Sequence, residues 1–105
     1  EYTKAEAILK TYIENKIASD DTYLLLGIAS EYQGNDRQAE ESFLKAIELN
    51  GEKHEAHINL AGLYLESGDI GKAEEHVDRA LEINPGEELY QQAKEDIVNW
   101  KKANQ

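Results

Sequence analysis

Cysteine is absent from this 105-residue chain, so disulfides and thiolate metal sites are excluded. Methionine is absent too, so residue 1 is no natural start; the expectation is a segment of something longer, or a chain whose leader was removed. No apolar run approaches the roughly 18 residues of a membrane span. The longest, Leu24-Leu25-Leu26 with Ile28 and Ala29 behind it, has the length of a helix core. No basic stretch leads into an apolar one, so no signal peptide is visible and cytoplasmic localisation is the default expectation. Basic residues are scarce, 11 against 22 acidic ones, for a formal net charge of −11. Residues 1–19 and 88–105 are each balanced. The excess lies between them, with eight acids to three bases over 20–53 and eight to two over 54–87. A surface of that sign repels phosphate, which makes nucleic acid and anionic membranes poor partners.

What is present repeats. Ala5, Ala39 and Ala73 recur at an interval of 34 residues, as do Gly34 and Gly68, and Ala46 and Ala80. Residues 20–53 and 54–87 align with eight identities, Leu26/Leu60, Glu40/Glu74 and Asn50/Asn84 among them. Within each unit the apolar residues recur at helical spacing and are interrupted once, at the glycine. Glycine ends a helix in the left-handed conformation without a Cβ clash, and Asn35 or Asp69 just after it can cap the next helix. Asn35 and Gln38 also have capping-box spacing. Asn50-Gly51 and Asn84-Pro85-Gly86 separate one unit from the next. Glu41 with Lys45, and Glu75 with Arg79, are i,i+4 pairs in the favourable order.

These signals predict an all-α chain of about six helices, broken near Ser19, Gly34, residues 50–53, Gly68 and residues 84–86. One domain is expected over 1–105. Residues 1–19 read as the second helix of a partial repeat, because Leu9 and Ile13 fall at the slots of Phe43 and Ile47. Full repeats span 20–53 and 54–87. Residues 88–105, with Leu89, Ala93, Ile97 and Trp100 at helical spacing, read as a capping helix. Ala39, Ala46, Ala73 and Ala80 are expected buried at helix crossings.

The two units resemble the tetratricopeptide repeat, whose pattern is Trp-x2-Leu-Gly-x2-Tyr, then Ala-x3-Phe, Ala and Pro. The first offers Tyr23, Leu26, Gly27, Ser30, Ala39, Phe43, Ala46 and Gly51. The second offers His57, Leu60, Ala61, Tyr64, Ala73, Val77, Ala80 and Pro85. Ser30, Gly51 and His57 depart from the pattern; the small residues are kept. The resemblance implies a right-handed solenoid of helical hairpins whose first helices line a concave groove. Carried over slot by slot, the groove residues are Asp21, Leu24, Leu25, Ile28, Glu31 and Tyr32, then Glu55, Ile58, Asn59, Gly62, Leu65 and Glu66. The set holds no basic residue and several aliphatics, and clustered exposed aliphatics mark an interaction surface. The family's clamp for acidic C-terminal peptides needs basic slots, and of its set only Asn59 is matched.

The implied function is a non-catalytic protein-protein interaction scaffold. It would bind a peptide or protein segment, apolar with basic residues, in the groove. The alternative is a structural segment of a longer solenoid that self-associates end to end. No catalytic residue, metal site or cofactor is expected. His54 and His57 lack the His-Glu-x-x-His spacing and a third ligand, and His57 falls in a core slot. His76 is expected on a solvated face. Neighbouring carboxylates such as Glu40-Glu41 diverge by about 100° around a helix and do not converge on a substrate.

Overall fold

Helix boundaries fall where the turn residues put them. The computed structural model describes residues 1–105 and contains six helices: α1 (Tyr2–Glu14), α2 (Asp20–Tyr32), α3 (Asp36–Leu49), α4 (His54–Ser67), α5 (Ile70–Ile83) and α6 (Glu88–Ala103). No strand forms. Gly34 and Gly68 both take left-handed backbone, φ 78° and 85°, the region that favours glycine. The next residue caps the following helix: Gln38 N–H donates to Asn35 Oδ1, and Lys72 N–H to Asp69 Oδ1, each at 3.2 Å. The capping box expected at Asn35 forms only by half. The Gln38 side chain donates instead to Ser30 Oγ, at 2.8 Å. A complete reciprocal box closes the start of α2, between Ser19 and Thr22.

Two hairpins, α2 with α3 and α4 with α5, form the closest helix pairs. They stack through α3 on α4, with α1 packed on α2 at one end and α6 on α5 at the other, in a body of 48 × 26 × 20 Å. Ala39, Ala46, Ala73 and Ala80 are fully buried, as the spacing predicts. One glycine is demanded by packing. A Cβ on Gly27 would lie 2.5 Å from Phe43 Cε1. At the same slot of the next hairpin stands Ala61, and it packs in a cluster with Val77, the counterpart of Phe43. Glycine against phenylalanine in one hairpin thus answers alanine against valine in the other.

Ser30, at an aromatic slot of the repeat, is fully buried and satisfied: it donates to Leu26 O at 2.7 Å and accepts from Gln38. Its counterpart Tyr64 donates to Glu40 at 2.8 Å. The expected i,i+4 pairs of Lys45 and Arg79 do not form. Lys45 turns forward to Glu48 at 3.0 Å, and Arg79 reaches Glu82 at 3.1 Å and, across the turn between units, Glu52 at 2.7 Å. At the other end, Lys94 lies 2.7 Å from Glu74 and 2.8 Å from Asp78, and Lys101 lies 2.8 Å from Glu74. Hydrogen bonds from Lys101 and Lys94 hold the Glu74 carboxyl down at a pKa of about 2. No helix is long and apolar enough to cross a membrane.

Candidate functional site

A groove of about 820 Å³ opens between α2 and α4, lined by Ile28, Glu31, Tyr32, Asp36, Asn59 and Glu66. Five of these six are expected from the slot pattern. Asp36 is not, because it begins the second helix of its hairpin, and the short Gly34-Asn35 turn brings that first residue back to the groove edge. Three of the six are carboxylates. Cations of the two hairpins are engaged elsewhere: Arg37 with Glu41 at 3.7 Å, Lys53 with Asp20 at 3.1 Å and with Asp21, Lys72 with Asp69 at 3.9 Å. Burial, and then repulsion from Glu66 and Asp36, raises the pKa of half-buried Glu31 above the usual carboxylate value. Tyr32 is 69% exposed, and its ring stacks on Tyr2 at a 4.6 Å centroid separation.

The remaining expected groove residues divide among other surroundings. Leu24 is corrected outright: at 9% exposure it belongs to the core cluster with Phe43, Ala56 and Leu60, since α2 turns that face toward α4. Ile58 is half-buried against the cluster of Ala61, Val77 and Ile97. Leu25 opens onto the α1 side, in an apolar pocket of about 290 Å³ that it shares with Ile28. Leu65 faces a smaller notch with Ile70, Ile97 and Trp100. Asp21 is committed to Lys53, and Glu55 is exposed beside His54. Gly62 is half-buried, and a Cβ there would meet nothing within 4 Å.

The histidines do not act as a pair along α4. His54 Nδ1 is 2.7 Å from Tyr90 Oη, and this joins α4 to α6. His57 is buried, as its slot predicts, with Nε2 3.3 Å from Gly51 O and Nδ1 3.0 Å from His76 Nδ1. His76 is not the solvated residue expected. It is half-buried and stacked on both His57 and Tyr64. A carbonyl only accepts, so Nε2 of neutral His57 carries the proton and its Nδ1 accepts from His76 Nδ1–H. Desolvation lowers both imidazole pKa values, and the neighbouring His76 and Arg79 add to this at His57. No group of three or more His, Asp or Glu side chains could hold a metal ion.

A family profile for the tetratricopeptide repeat matches residues 32–97, and the chain belongs to that family. Two human relatives are RanBP2-like and GRIP domain-containing protein 3, 28% identical over 101 residues, and protein 4, 27% identical over 101 residues. In both, the match covers 94% of this chain. The chain spans only about 6% of the length of those relatives. Among solved structures, the Yersinia enterocolitica type III secretion chaperone SycD in complex with a peptide of the translocator YopD superposes with a TM-score of 0.87 at 19% identity. It covers 95% of this chain and 82% of that one. YrrB, a TPR protein with an unusual peptide-binding site, gives 0.82 at 18% identity, covering 96% and 52%. MamA gives 0.80 at 22% identity, covering 96% and 61%. These likenesses are likenesses of fold.

Proposed function

We infer that this segment is a non-catalytic protein-interaction scaffold whose α2–α4 groove takes an apolar peptide or protein segment bearing Lys or Arg. One observation carries the reading: Glu31, Asp36 and Glu66 border a groove with Ile28 and Tyr32, with no cation among its lining residues. Apolar contact would supply most of the affinity, at about 25 cal/mol per Å² buried. The carboxylates would favour encounter and fix orientation. Half-burial of Glu31 strengthens its pairing with a bound cation relative to a solvated acid. The peptide-bound SycD structure and the peptide-binding site of YrrB support peptide capture as a use this fold permits.

The test is selection from a random peptide library, followed by affinity measurements on parent, Glu31→Lys, Glu66→Lys and, on the exposed α5 surface, Glu75→Lys. Selected peptides should combine aliphatics with Lys or Arg. Both groove substitutions should weaken binding tenfold or more, and Glu75→Lys should change it little. Acidic selected peptides, or equal loss from Glu75→Lys, would overturn the reading. Acidification offers a second check. A bound cation favours ionised Glu31, so affinity should fall as pH drops through the raised carboxylate pKa.

A further inference from the structure

Asn50 and Gly51 lie at the joint between the two hairpins, in the turn that leaves α3 and leads into α4. No other asparagine or aspartate in the chain precedes a glycine. A glycine after asparagine leaves the peptide nitrogen unshielded, and that nitrogen can attack the side-chain amide. Nothing else claims it here. The Gly51 N–H makes no hydrogen bond, both residues are exposed, and a Cβ on Gly51 would meet nothing within 4 Å. The same slot of the second unit is chemically closed: Asn84 is followed by Pro85, whose nitrogen has no hydrogen to lose.

Asn50 ties the joint together. Its Nδ2 donates to Asp20 Oδ2, at the start of α2, at 3.0 Å, and its Oδ1 accepts from Glu52 N–H at 3.0 Å. Its own N–H donates to Ala46 O and so ends α3. Lys53 closes the joint from the other side, 3.1 Å from Asp20 and paired with Asp21. The hydrogen bond from Asn50, ahead of that from Lys53, holds the Asp20 carboxyl below its usual pKa. The same contacts keep the reacting atoms apart. With ψ at 96°, Gly51 N lies almost opposite the Asn50 Cβ across the Cα–C bond. Attack therefore requires the turn to rotate and the side chain to leave its partners.

We propose that Asn50 is a deamidation site, guarded by the folded joint, whose conversion turns the link between α2 and the end of α3 into a repulsion. Gly51 N gives its proton to solvent base and bonds to Asn50 Cγ; the Cγ–Nδ2 bond breaks, and the nitrogen takes up a proton and leaves as ammonia. The resulting succinimide adds water, and opening at one carbonyl or the other gives aspartate or isoaspartate. Both products lose the Nδ2 donor to Asp20 and add a carboxylate to a joint whose one lysine already serves Asp20 and Asp21. Like charges at that spacing repel. Isoaspartate also carries the main chain through the side-chain methylene, which lengthens the turn and misplaces the acceptor for Glu52 N–H. The second hairpin is spared, because Pro85 blocks the ring closure there.

The test is ageing of the 105-residue chain in mildly alkaline buffer, followed by mass spectrometry of the tryptic fragment 46–53 and thermal melting of the product. Conversion is expected at Asn50 before any other asparagine, at a rate tenfold or more below that of the free synthetic peptide 46–53. Asp20→Ala, which removes the side-chain acceptor, should raise the rate in the folded chain. Gly51→Pro, which copies Pro85, should abolish conversion and keep the parent's helical content. The converted chain should melt below the parent, and so should Asn50→Asp. Asn84→Asp should not, because the counterpart of Asp20 in that unit is His54. No conversion at Asn50, earlier conversion elsewhere, or a folded-chain rate equal to the peptide's would overturn the proposal. So would an unchanged rate in Asp20→Ala, or a converted chain that melts with the parent.

Discussion

Gly27 offers the sharpest test of how the hairpins are packed. Placing a methyl group there puts it 2.5, 2.6 and 2.9 Å from three atoms of the Phe43 ring. That ring is fully buried and cannot swing outward. Overpacking of this kind costs about 1–3 kcal/mol, and replacing a helical glycine by alanine returns up to about 1 kcal/mol. Gly27→Ala should therefore lower stability by about 1–2 kcal/mol, although alanine is the better helix former. Phe43→Val alone should cost about 2–4 kcal/mol, somewhat less than a full truncation to alanine. The double variant copies the Ala61/Val77 arrangement of the second hairpin, in which both residues are buried. It should lose less than the two single losses added together, by about 1 kcal/mol or more of favourable coupling. Urea titration followed by circular dichroism gives all three values. Additive losses would refute the complementarity, and a Gly27→Ala variant more stable than the parent would refute the clash itself.

Gly62 is the opposite case. Nothing lies near a Cβ there, so Gly62→Ala should stabilise the chain by about 0.5–1 kcal/mol. If the variant also keeps peptide affinity, bare backbone at Gly62 is no part of the groove. The His57–His76 contact predicts a pH effect whose sign follows from the lowered imidazole pKa values. The unfolded chain takes up protons near pH 6.5 while the folded one does not, so the stability from these groups is present above that pH. It should be lost as pH falls through the lower folded values. Between pH 7.5 and 5.5 the parent should lose melting temperature more steeply than His57→Phe/His76→Gln; parallel slopes would contradict this.

The fold was legible because its signals are local and repeated. Glycine at 34 and 68, a capping side chain one residue later and alanines every 34 residues each state a boundary or a crossing within a few residues of chain. The site was legible only in part. Helical periodicity says that Leu24, Leu25 and Ile28 share a helix, but not which neighbour each will meet. The packing of α2 on α4 buries Leu24, while its neighbour on the other flank leaves Leu25 open. Asp36 was missed because assigning whole helices to one face overlooks what a two-residue turn does to the next helix's first residue. The His57–His76 contact joins residues 19 apart through tertiary packing, and no spacing rule announces it.

The groove itself is tested most directly by amide chemical-shift mapping, titrating the chain with its best library-selected peptide. The largest shifts should fall on Ile28, Glu31, Tyr32 and Asp36 and on α4 at Asn59 and Glu66, with saturation giving one affinity. Shifts centred on the exposed faces of α3 and α5, around Glu41, Glu48, Glu75 and Glu82, would contradict a binding groove between α2 and α4.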